Sequence, residues 1–109
     1  MKVKFKNGTT KGCSTPTEQK IFKTGTSSGW ILTFYLICDI TSDEVDELLT
    51  EENISELTFT AEETMNAEGI IVPEKSIVLT DYNKISSSVI RHSEEKDKTR
   101  VEIQLIKGV

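Results

Sequence analysis

Few residues of this chain have the types and spacing that chemistry requires. The densest set is acidic: Asp39, Asp43, Glu44, Asp46, Glu47, Glu51 and Glu52 fall within one short stretch. A carboxyl pair performs acid–base catalysis when one member sits in a pocket that raises its pKa. A solvated acidic helix face supplies no such pocket. A calcium loop alternates oxygen ligands around a central glycine, and no glycine falls between residues 39 and 52. His92 is the single histidine, and Cys13 and Cys38 are the only cysteines. Histidine pairs and the paired-cysteine spacings of zinc modules are therefore both missing. His92 beside Ser93 does not make a triad, which depends on geometry across separate segments. The stretch Gly25-Thr26-Ser27-Ser28-Gly29 could cradle a phosphate on its backbone N–H groups. A P-loop, however, runs through Gly-Lys-Ser/Thr into a helix, whereas here Trp30 and an apolar strand follow. The expectation is a non-enzymatic protein with no metal and no cofactor, and with residues 25–29 as a weak ligand loop.

The elements that must position these residues follow from periodicity. Residues 30–38, WILTFYLIC, form a short run rich in aromatic and β-branched types, which predicts a strand. Both of its faces are largely apolar, so a central strand covered on two sides is expected. Thr41-Ser42-Asp43-Glu44 has the capping-box pattern, and its acids suit the positive end of a helix dipole. Val45, Leu48 and Leu49 then make one apolar stripe, predicting a helix over 42–50 with Asn53 as its stop. Ile54, Leu57 and Phe59 alternate with polar residues as a half-exposed strand.

Residues 1–6 alternate Val3 and Phe5 with lysines, and Asn7-Gly8 is a hairpin signal. The returning strand, residues 9–14, is weakened by Gly12, and residues 15–23 read ambiguously. Residues 61–69 have no period, 70–72 form a brief strand, 76–80 a further strand and 81–83 a turn. Residues 86–91 and 100–106 predict a hairpin around the charged turn 93–98. The fold class expected is α+β: a mainly antiparallel sheet of about five or six strands, with one short acidic helix packed on it.

Size and composition set the remaining limits. The 109 residues form a single domain by the usual prior, with a composition that is 36% hydrophobic and 28% charged. The opening MKVKFKNGTT has no apolar signal region, so neither export nor membrane insertion is expected, and both cysteines are expected reduced. The net charge of −5 is uneven: residues 1–24 hold six lysines and one acid, and residues 39–68 hold eleven acids and no Lys or Arg. Direct nucleic-acid binding is disfavoured, since its usual footprint is a basic patch with stacking aromatics. The acidic block is either a solvated face or a surface for a basic or nucleic-acid-binding protein.

The opening MKVKFKNGT and the segment DITSDEVDELLTEENISELTFT resemble small uncharacterised proteins of phages and prophages of Gram-positive bacteria. Those share a strand, an x-DE-x-DEL helix and a TEEN step into a second strand. The resemblance implies a viral context, in the host cytoplasm or the virion, and a protein partner. The leading expectation is a virion or tail accessory acting through exposed strand edges such as residues 1–6 or 99–107, with homo-oligomerisation open. The alternative is an anti-CRISPR-like inhibitor of a host defence nuclease, its acidic helix imitating nucleic acid.

Overall fold

The strand β4 (Ser28–Cys38) explains most of the architecture through its alternation. Leu32, Phe34 and Leu36 are fully buried, while Ile31, Thr33, Tyr35 and Ile37 on the other face stay half-exposed. The run is therefore covered on one side rather than the two expected from its composition. Apolar content alone does not distinguish a two-sided strand from a one-sided strand whose outer face lies among long neighbouring side chains.

The computed structural model describes residues 1–22, 28–92 and 99–108. In order, the elements are β1 (Lys2–Lys4), β2 (Thr10–Gly12), β3 (Thr17–Phe22), β4, α1 (Ser42–Leu48), β5 (Glu56–Ala61), β6 (Thr64–Met65), β7 (Ile71–Val72), β8 (Lys75–Thr80), β9 (Lys84–His92) and β10 (Thr99–Lys107). All described pairings are antiparallel. The fold is α+β, mostly antiparallel sheet with one short helix. Its strands divide between two four-stranded sheets, ordered β2-β1-β5-β8 and β3-β4-β10-β9, with β6-β7 as a separate pair. The inner faces meet in one core, where the Phe34 and Phe59 rings pack edge to face at 5.2 Å and 82°.

One edge of each sheet belongs to the same run of chain. After β2, Cys13 bridges to Leu36 of β4, and the Ser14 N–H donates to the Tyr35 carbonyl at 2.9 Å. Ser14 Oγ in turn accepts from the Tyr35 N–H at 2.9 Å. Pro16, which has no N–H to give, falls in the break before β3 takes up its new register with β4. The chain thus leaves one sheet and joins the other. Gly12 permits this crossing: a Cβ there would lie 3.0 Å from the Ile37 carbonyl oxygen. The glycine that weakens the strand by propensity is the point where two backbones approach.

The helix begins as its capping box predicts. Thr41 Oγ1 accepts from the Glu44 N–H at 3.3 Å, and its hydroxyl lies 3.5 Å from Glu44 Oε1. It ends at Leu48, earlier than the apolar stripe implies, and Asn53 is the reason. Asn53 is buried; its amide donates to the Leu48 carbonyl at 2.8 Å, and its Oδ1 accepts from the Asn7 N–H at 2.9 Å. One side chain therefore closes the helix and fastens the β1–β2 turn to it. The helix spans the passage from β4 to β5, with Val45 and Leu48 in the shared core. The β1–β2 turn forms as Asn7-Gly8 predicts, although only Gly8 takes positive φ, at 92°.

Replacing Asn53 with Ala strips partners from two backbone groups, a change costing about 1–3 kcal/mol. Urea unfolding should show a lowered midpoint for Asn53→Ala. Asn53→Asp, which keeps the acceptor for Asn7 but sets a buried carboxylate oxygen against the Leu48 carbonyl, should lower the midpoint at least as far at neutral pH.

Candidate functional site

Two surfaces offer themselves, the acidic helix and a projecting arm. On the helix, Asp43, Asp46 and Glu47 are exposed, as are Asp39 before it and Glu51 and Glu52 after it. Glu44 is half-buried, with Oε2 3.4 Å from Lys11 Nζ. The β1–β2 turn runs alongside: one surface depression is lined by Lys6, Asn7, Glu47, Thr50, Glu52 and Asn53. The structure sets Lys11 beside Glu44 and Glu47, and Lys6 beside Glu47 and Glu52. Asp39, Asp43 and Asp46 have no ion pair among the described residues. Of the ligand loop, Gly25, Thr26 and Ser27 lie outside the described residues; Ser28 and Gly29 open β4.

The arm arises from a register that does not change. Ala61 pairs with Lys75 at the end of the β5–β8 ladder, and Thr64 pairs with Val72 further out. Two residues on each strand separate these pairs, Glu62 and Glu63 against Pro73 and Glu74, so β6–β7 continues the β5–β8 hairpin. Asn66 closes the tip, its Oδ1 accepting from the Glu68 and Ile70 N–H groups at 3.0 Å, with Gly69 at φ 78°. Residues 62–71 are all exposed. Because the alternation carries through, Met65, Ile71 and Ile77 fall on the same face as the core residues Leu57 and Phe59. They are 68%, 58% and 58% exposed, so the core face runs outward as an uncovered apolar strip.

Sequence reading missed this arm. Asn66 to Gly69 between Thr64-Met65 and Ile70-Ile71-Val72 is a hairpin signature, but its flanking strands are too short for a clear period. The two strands expected to offer free edges do not: β1 lies between β2 and β5, and β10 between β4 and β9. Their clean alternation marks well-paired strands, and pairing removes the edge.

Tyr82 was also hidden in what reads as a turn. It is fully buried, its hydroxyl donating to Glu18 Oε2 at 2.6 Å while Lys107 Nζ lies 4.7 Å from the ring centroid. Burial, reinforced by Glu18, holds its hydroxyl well above the ordinary tyrosine range. Neither cysteine is disulfide-bonded. Burial pushes the Cys13 thiol up to about 11, and burial also raises Cys38. Among the described residues no three His, Cys, Asp or Glu side chains could hold a metal ion, and no helix is long and apolar enough to cross a membrane. No protein-family model, curated protein or solved structure matches the chain.

A thiol whose folded pKa is raised contributes stability that is present below its unfolded value, near 9, and lost as pH rises through its folded value, about 11. Unfolding free energy should therefore fall across pH 9 to about 11, and this fall should be shallower in Cys13→Ala. At pH 8, alkylation followed by mass spectrometry should modify the half-exposed Cys38 before Cys13.

Proposed function

We propose that this chain works by binding another protein, as an assembly accessory of a phage particle, and that the β6–β7 arm continuing the β5–β8 hairpin is what it presents. The observation carrying this reading is the apolar strip of Met65, Ile71 and Ile77, which continues the core face beyond the body of the molecule. Apolar surface of this kind gains most when a partner covers it. An extended arm also places its backbone where a partner strand can pair with it. The viral setting, and with it the host cytoplasm or the virion as the proposed location, rests on the resemblance of MKVKFKNGT and DITSDEVDELLTEENISELTFT.

A second reading has its own support in the exposed, unpaired Asp39, Asp43 and Asp46. There the helix imitates a nucleic-acid backbone and occupies the channel of a host defence nuclease. Lys6 and Lys11 beside the helix weaken its field, which favours the first reading.

A tagged pull-down from phage-infected cells separates the two. Capture of capsid or tail proteins that is lost in Met65→Asp and Ile71→Asp is the expected result. Capture of a nuclease that weakens with salt and with Asp43→Asn/Asp46→Asn, and ignores the arm variants, supports the inhibitor instead.

A further inference from the structure

Three of the four edges of the two four-stranded sheets carry features that discourage pairing with another chain. β2 has only three residues and continues into the other sheet. β3 exposes the polar run Thr17-Glu18-Gln19-Lys20. β9 is interrupted by a register shift where it meets Gln104 and Leu105. Bulges, short edges and polar residues are the usual means by which proteins blunt an edge. β8 has neither a bulge nor a short span, and its polar residues Lys75, Ser76 and Thr80 lie at its ends, leaving Ile77-Val78-Leu79 in the middle. It runs six residues with no bulge or proline and exposes aliphatic side chains on both faces, Ile77 at 58% and Val78 at 55%.

The hydrogen-bond alternation of β8 shows which backbone groups are free. The Asp81 N–H donates to the Ser55 carbonyl at 3.0 Å, directly beyond the Glu56–Thr80 pair. In an antiparallel ladder bonded pairs alternate with unbonded ones. Lys75, Ile77 and Leu79 therefore bond to β5, and Ser76, Val78 and Thr80 direct their N–H and C=O groups outward. The Thr60–Ser76 hydroxyl contact at 3.0 Å fits this phase, since side chains approach closest at unbonded pairs. Lys107 Nζ reaches the outward Thr80 carbonyl at 3.1 Å, and no described group bonds to Ser76 or Val78 on that side.

The residues along this edge are complementary to themselves. Lys75-Ser76-Ile77-Val78-Leu79-Thr80-Asp81 reads cation, hydroxyl, three aliphatics, hydroxyl, anion. We propose that a second copy of this chain pairs with β8, antiparallel and two-fold symmetric about Val78. Lys75 then lies opposite the partner copy's Asp81, whose N–H keeps the ladder register on Ser55 while its φ of 70° ends the strand there; Ser76 lies opposite Thr80, and Ile77 opposite Leu79. Val78 meets itself on the axis as a bonded pair. The two four-stranded sheets become one eight-stranded sheet, and the interface is isologous, so it closes as a dimer rather than growing into a fibre. Charge complementarity sets the register, because shifting by two residues, the smallest slip that keeps the outward backbone groups paired, faces Lys75 with Leu79. The pairing does not depend on partner binding through the arm: either surface can fail alone.

Sedimentation equilibrium on the full chain tests this. The expected result is a concentration-dependent monomer–dimer equilibrium. Val78→Lys, which places two cations on the axis, should raise the dimer dissociation constant by about tenfold or more. Lys75→Glu should weaken the dimer too, most strongly at low salt. Both side chains are exposed, and circular dichroism confirms that the variants fold. Hydrogen exchange reads the register directly: Ser76 and Val78 amides should gain protection as concentration rises, while those of Ile77 and Leu79 are already protected by β5. A wild type that stays monomeric to about 1 mM, or a dimer indifferent to both substitutions, overturns the proposal.

Discussion

The contact on which the rest of this molecule depends is that between the inner faces of its two sheets, centred on Phe34 and Phe59. Neither sheet is stable alone: each has a face of buried aliphatic and aromatic side chains, and a lone four-stranded sheet leaves that face in water. Burial of these side chains fixes the register of every strand that contributes one, because a one-residue slip turns its apolar set outward. The alternation of Val3 and Phe5, of Leu57 and Phe59, and of Val101, Ile103 and Leu105 all serve this contact.

The chain crosses between the sheets on both sides, and on one of them side chains tie the crossing down. At Gly12 the chain itself passes from sheet to sheet, made possible by the missing Cβ. On the opposite side Tyr82 is buried where β8 gives way to β9, its hydroxyl on Glu18 and its ring beneath Lys107. Lys107 also caps the Thr80 carbonyl, and the Asn83 N–H donates to the Ile106 carbonyl at 3.2 Å. Asn53 ties the helix to the β1–β2 turn. These polar latches sit at the margins of the apolar core, where buried donors and acceptors must find partners because water cannot reach them.

Against this closed body, the β5–β8 hairpin is the exception. Its inner half supplies Leu57 and Phe59 to the core, and its outer half carries Met65 and Ile71 into solvent without any change of register. The acidic helix is a different kind of surface. Its carboxylates are solvated and flanked by lysines, an arrangement that also serves solubility. The two surfaces make separate demands on a partner, one apolar and one basic.

Local chemistry was legible in the sequence wherever one short segment decides its own structure. The helix start at Thr41–Glu44, the turn at Asn7-Gly8, the antiparallel pairing of β9 with β10 (the charged turn expected over 93–98 lies outside the described residues) and the α+β class all follow from capping, turn preference and period. The division of the strands into two sheets was not legible, because alternation gives a strand its two faces without saying which neighbour covers them. For the same reason β1 and β10 read as edges and proved internal, while β8, bland in sequence, is the open one. Gly12 and Tyr82 read locally as a weak strand position and a turn. Only the approach of a distant backbone at Ile37, and of Glu18 and Lys107 from two other strands, turned them into a crossing and a buried tie. Residues far apart in the chain meet there, and no local preference records such a meeting.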